Sequence, residues 1–332
     1  MNKTNPPGWQ NLWKYTLYIA EGSPTVLLGF ITVLTILKYQ ALRKKKEYII
    51  IIGLFLADCI NELAYVCAGA FRIHLVLIGQ HDSKVNSWYC MLTVHNLLWS
   101  FADTVVPLML LVTAVDRAIC VSSPLFYYGL TTTYAWSMVG GAFGYSILSG
   151  LVGIVVSYNL PPTNNRLKVC FTSMALGKQF YVYYFSFIRQ LFATLSVVVD
   201  LAVLVMFLKR AKQALPVGSN AAIKQELKRQ RKFSKSLLIT CLFTVLLYEL
   251  PMIYVQLGIG ADFSSNTIVN VTLYGFILAN LRPILNVLVY LSRHRELRLA
   301  MCKCLLCEIL PVNQHTMLGQ IHAKYLINVP HY

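Results

Sequence analysis

The stretch Cys90–Tyr127, CMLTVHNLLWSFADTVVPLMLLVTAVDRAICVSSPLFY, decides how the chain is read. It opens on a cysteine and runs as an apolar block from Met91 to Val115, broken by one acid, Asp103. It closes on Asp116-Arg117-Ala118 and Pro124-Leu125-Phe126-Tyr127. As one helix, Cys90 to Arg117 would rise about 40 Å, close to the thickness of a bilayer with its headgroup zones. The reading is therefore a membrane-spanning rod with a thiol at one surface and an acid–arginine pair at the other.

Composition extends this reading to the whole chain. Of 332 residues, 57% are apolar and only 13% charged, about half the charged share of a soluble domain. Seven apolar blocks emerge, at 17–38, 48–71, 90–117, 132–157, 179–208, 235–258 and 267–291, each near the length a bilayer requires. Their unbroken apolar character excludes strands. The fold class is thus an all-α membrane protein, a seven-transmembrane helix bundle over 17–291. A polar N-terminus (1–16) precedes it. An amphipathic surface helix (292–310) and a tail (311–332) follow. The first block is long and lacks a small-residue cleavage pattern, so it reads as a span and not a signal peptide.

Charge gives the orientation. Twenty Lys and Arg residues fall on one side, in the loops after spans 1 and 5, at Arg117 and after span 7. Seven fall on the other. The basic side is cytoplasmic, which puts the N-terminus outside and the C-terminus inside, as expected of a multi-pass plasma-membrane protein. The net charge of +16 follows from these loops and calls for no nucleic acid. Asn2-Lys3-Thr4 is then a glycosylation acceptor on the correct face. In the tail, Leu297, Met301 and Leu305 recur every four residues among basic ones, the pattern of a helix on an anionic leaflet, with membrane lipids as partner. Cys302, Cys304 and Cys307 are placed for palmitoylation, against the plainer reading of unmodified interfacial thiols.

Several motifs in order resemble a rhodopsin-like G-protein-coupled receptor. Asp116-Arg117-Ala118 with Pro124-Leu125-Phe126-Tyr127 is similar to the family's Asp-Arg-Tyr…Pro-Leu-x-Tyr pattern, with alanine for tyrosine. Leu56-Ala57-Asp58 resembles its span 2 motif. Asn286-Val287-Leu288-Val289-Tyr290 resembles Asn-Pro-x-x-Tyr, with valine for proline. Tyr248-Glu249-Leu250-Pro251 stands at its span 6 proline. The first inner loop (Ala41-Leu42-Arg43-Lys44-Lys45-Lys46) and Tyr290…Arg295-Glu296-Leu297-Arg298 look most like nematode serpentine chemoreceptors of the Srsx type. Cys90 lies about two residues further from Arg117 than the pattern has it.

The resemblance implies a receptor, not an enzyme, that binds a small extracellular ligand and activates a heterotrimeric G protein. It implies a Cys90–Cys170 disulfide. It assigns coupling and activation to Asp116, Arg117, Pro124, Pro251, Asn286 and Tyr290, with Arg117 held at rest by Asp116 and nearby groups. A transporter or channel is the alternative, disfavoured by the absence of inverted halves. No cofactor is implied: no lysine lies in span 7 to carry retinal, and no metal-ligand set appears.

Charges within spans are costly and tend to pair inside the bundle. Asp58, Glu62, Asp103, Glu249 and Arg282 form the expected polar network, with Arg282 paired to Glu249, Asp103 or Asp58. Ligand-pocket candidates are Trp99, Asp103, Arg189, Glu249 and Asn280. The plainer reading is a charge network that only fixes packing. The spacing of Trp99, Asp103, Val106, Leu110, Thr113 and Arg117 puts them on one face of span 3.

Overall fold

The computed structural model describes residues 8–163, 166–213, 242–251, 253, 254, 257, 265–293 and 295–309. Asn2 and most of the loop after span 5 lie outside these residues, as do much of span 6 and the tail from 310. Among the described residues five helices are long and apolar enough to cross a membrane. They are span 1 (Leu12–Lys38), span 2 (Lys46–Leu77), span 3 (Val94–Ser122), span 4 (Thr132–Tyr158) and span 5, whose main helix is Phe187–Gln213. Span 7 is the helix Ser265–Arg293, and span 6 is described chiefly over Thr244–Glu249. Helices satisfy every backbone group internally, which lipid demands.

Two boundaries differ from expectation in ways that matter. The rod beginning at Cys90 is broken. Cys90 sits on a short helix, Ser87–Met91, and span 3 starts at Val94 after an extended Thr93. The Thr93 hydroxyl donates to the Cys90 carbonyl at 2.7 Å, a local bond that competes with helix continuation. The turn absorbs the two surplus residues between Cys90 and Arg117. In span 5, which carries no proline, a π-helical stretch (Tyr181–Ser186) precedes the main helix. Such a stretch shifts the helical register and re-aims the side chains after it, Arg189 included.

Spans 2 and 3 are the most enclosed, while spans 4 and 5 present most of their surface outward. Span 1 packs along span 2, and span 5 along span 3. Small residues permit the first contact. A Cβ at Gly69 would fall 2.6 Å from the Tyr15 carbonyl, and one at Gly22 would fall 2.9 Å from that of Glu62. The main core joins Ile36, Ile49, Phe55, Val105, Met109, Val287 and Tyr290 to Leu297 and Met301 of the tail helix Arg295–Ile309. That helix therefore docks on the bundle by its apolar stripe. Its register buries Cys304 against Lys38, with Sγ 4.0 Å from Nζ. Cys302 is exposed.

Candidate functional site

At the disulfide end, the chain between spans 4 and 5 is strapped across the bundle. Cys170 is bonded to Cys90, 80 residues away. It adopts a left-handed backbone, φ +50°, uncommon outside glycine. Its carbonyl accepts from Asn96 Nδ2 at 3.1 Å, and lies 3.2 Å from His95 Nε2, which donates as the Nε2–H tautomer. Thr172 donates to Asn96 Oδ1 at 3.0 Å. A two-residue antiparallel pairing, Lys84–Val85 with Arg166–Leu167, closes the strap.

Beneath it lies Arg72, one of the seven cations on the less basic side, 1% exposed. Its Nε donates to the Val169 carbonyl at 3.1 Å. Its guanidinium lies 4.5, 5.5 and 5.8 Å from the ring centroids of Phe171, Trp99 and Tyr15. A cation buried among three aromatic faces is strongly held. Trp99 takes part in this packing, edge-on to Tyr65 and His95. His81 likewise has structural partners, Tyr15 and Asp82. Among the described residues no cluster of metal-ligating side chains occurs.

Midway down the bundle the spans bring their charges together. Arg282 donates to Asp58 at 2.7 Å, so of the three partners open to it, the acid of span 2 is taken. Asp103 instead receives Arg189 of span 5, at 3.1 Å. Glu249 accepts from Gln190, and Glu62 from Asn61 at 3.2 Å. Asp103, Arg189 and Arg282 line one cavity with Asn61, Tyr65, Ala102, Val106 and Ala279. Its volume is about 20 Å³, room for a water molecule or so. Asn61 and Tyr65 escaped notice in the sequence because an uncharged Asn and Tyr in an apolar span look like ordinary packing. Trp99, Glu249 and Asn280 do not line this cavity. A wider groove of about 160 Å³ runs beside Trp88, Tyr158 and Pro161 at the disulfide end, away from these charges.

At the arginine end the direct contacts of Arg117 are to spans 5 and 7, while Asp116 acts on it through charge alone. Arg117 Nη2 donates to the Tyr290 hydroxyl at 2.9 Å, and Nη1 lies 3.7 Å from Asp200 Oδ1 of span 5. Asp116 accepts from the Tyr127 hydroxyl at 3.2 Å. Consecutive helical residues point about 100° apart, so the two side chains serve different neighbours. Burial, with the Asp116 carboxylate beside it, holds the Tyr127 phenol well above its ordinary range, and it stays a proton donor. Lys46 donates to the carbonyls of Tyr127 and Leu130 and lies over the Tyr127 ring, 3.6 Å from its centroid. The loop helix Pro124–Gly129 is thereby pinned to the start of span 2. Asn286 is buried. Pro251 is half-buried on the span 6 segment.

The model of the family described as serpentine type 7TM GPCR chemoreceptor Srsx matches residues 27–305. No curated protein matches the chain.

Proposed function

The chain belongs to the serpentine seven-transmembrane chemoreceptor family Srsx, and on that premise we propose that it is a receptor for a small, polar extracellular ligand, signalling through a heterotrimeric G protein. The carrying observation is the small cavity whose wall holds the Asp103–Arg189 ion pair together with Arg282, itself paired to Asp58. An apolar ligand entering it would strip both pairs of their polar surroundings and return nothing. A polar ligand replaces what it displaces, and by parting Asp103 from Arg189 it binds one state of the bundle better than the other, the condition for a population shift. In this reading the Cys90 end is extracellular and the Arg117 end cytoplasmic, supported by the excess of basic residues in the loops on the Arg117 side. Membrane lipids are the remaining partner, and no enzymatic role is assigned.

The test is a cue panel applied to cells carrying the receptor and a promiscuous G protein. Polar cues should dominate the hits. Asp103→Asn and Arg189→Gln should each raise the effective concentration of a hit about 10-fold or more at unchanged surface expression. Hits confined to apolar volatiles would sink the ligand assignment. Ion current or substrate uptake without G-protein activation would sink the receptor assignment in favour of a transporter or channel.

A further inference from the structure

We propose that Asp200, and not the adjacent Asp116, is the acid that holds Arg117 in the resting protein, tying spans 3, 5 and 7 into one latch. This rests on the receptor reading above and adds to it the residue that sets the resting state. Asp200 is the only acid in the span 5 helix Phe187–Gln213. Its neighbours Val199, Val203 and Met206 pack with Ala118 and Val121 of span 3. An acid there is costly unless a cation meets it, and Arg117 meets it at 3.7 Å with both side chains largely buried. Asp116 is occupied elsewhere, bonded to Tyr127 and so committed to the loop helix.

The two contacts of Arg117 differ in kind. The bond to Tyr290 is a formed hydrogen bond at 2.9 Å. The approach to Asp200 is at ion-pair distance but beyond hydrogen-bond length, so its strength depends on where span 5 stands. Movement of span 5 away from span 3 weakens the acid's hold first and leaves Arg117 on the hydroxyl of span 7. The alanine at position 118 suits this geometry: it lets span 5 lie close enough for Asp200 to reach across.

The experiment uses the full-length receptor without any cue. Two quantities are read: basal nucleotide exchange on a panel of heterotrimeric G proteins, and the distance between spectroscopic labels carried on bioorthogonal residues at positions 122 of span 3 and 208 of span 5, both exposed. Asp200→Asn should raise basal exchange about 5-fold or more and shift the label distance. Asp200→Glu, which keeps the charge, should preserve both. Asp116→Asn should leave the label distance as it is in the wild type. The reversed pair Arg117→Asp with Asp200→Arg should recover the surface yield and label distance that each single change loses, which keeps the test decisive if Asp200→Asn folds poorly. An unchanged label distance and unchanged exchange in Asp200→Asn would overturn the latch, as would a reversed pair no better than its singles, or an Asp116→Asn shift equal to that of Asp200→Asn. A distance shift with no exchange by any form on any G protein would uphold the latch and sink the receptor reading.

Discussion

Replacing Asp58 by Asn tests the central ion pair most directly. Asp58 and Arg282 are 2.7 Å apart with side chains 3% and 1% exposed, so the amide substitution leaves a guanidinium with no counter-charge at that contact and almost no access to solvent. Removing one member of a buried pair costs about 3–5 kcal/mol, because the survivor remains desolvated. At about 2 °C per kcal/mol, the low end for large chains, the melting temperature in detergent falls by roughly 6–10 °C. Glu62, one turn further along span 2 and also fully buried, can take over part of the counter-charge. The loss should therefore be larger when Asp58→Asn is made in a Glu62→Gln background. Arg282→Gln alone should cost a similar amount, since it strands the carboxylate. The double variant Asp58→Asn with Arg282→Gln removes both charges together and should recover much of the loss. Melting of the four forms by intrinsic or dye fluorescence closes the cycle, and a coupling of about 2 kcal/mol or more is expected. Coupling below about 0.5 kcal/mol, the level of independent sites, would refute the claim that these two charges are held by each other.

Two further predictions concern the disulfide end. Cys90→Ser opens a link that closes 80 residues, which should lower stability by about 2–4 kcal/mol; surface expression should fall, and Cys170→Ser should add nothing beyond it when the two are combined. Arg72→Met keeps the bulk but removes the charge among three rings and the bond to Val169, for a loss of about 2 kcal/mol in melting assays. Arg72→Lys should not restore it, because an ammonium on a flexible stem cannot reproduce the planar stacking of a guanidinium; full recovery with lysine would argue for simple charge in place of the aromatic cage.

Much of the molecule was legible from the chain alone, for a definite reason. Lipid excludes unsatisfied backbone, so an apolar block of some twenty residues has only one outcome, and among the described residues spans 1 to 5 are helices long and apolar enough to cross a membrane. The existence of an internal charge network was legible on the same grounds, since ionised groups in spans must face inward and pair. The membership of pairs was not. Arg282 had three acids within conceivable reach, and the choice of Asp58 depends on how spans 2 and 7 rotate against each other. Arg189 reaches Asp103 after the π-helical stretch at Tyr181–Ser186, a register shift that sequence periodicity does not announce. Arg72 entered the charge count only as one of seven cations on the less basic side, yet the strap at Val169–Phe171 lies over it and it is buried. Cys304 and Cys302 are two residues apart and looked equivalent; helical rotation turns the first toward span 1.

The stretch Cys90–Tyr127 divides along the same line. Sequence determined that it crosses the membrane, that a cysteine and an arginine mark its ends, and that Asp103 faces the interior with Arg117. These follow from solvent and from helical period, which act locally. Tertiary structure decided that the rod breaks at Thr93, that Asp103 belongs to Arg189, and that Arg117 turns to Tyr290 and Asp200 while Asp116 turns to Tyr127. The pairings of Asp103 and Arg117 are set by which helices lie alongside, and contacts between residues 86 to 173 positions apart leave no periodic trace in the chain that makes them.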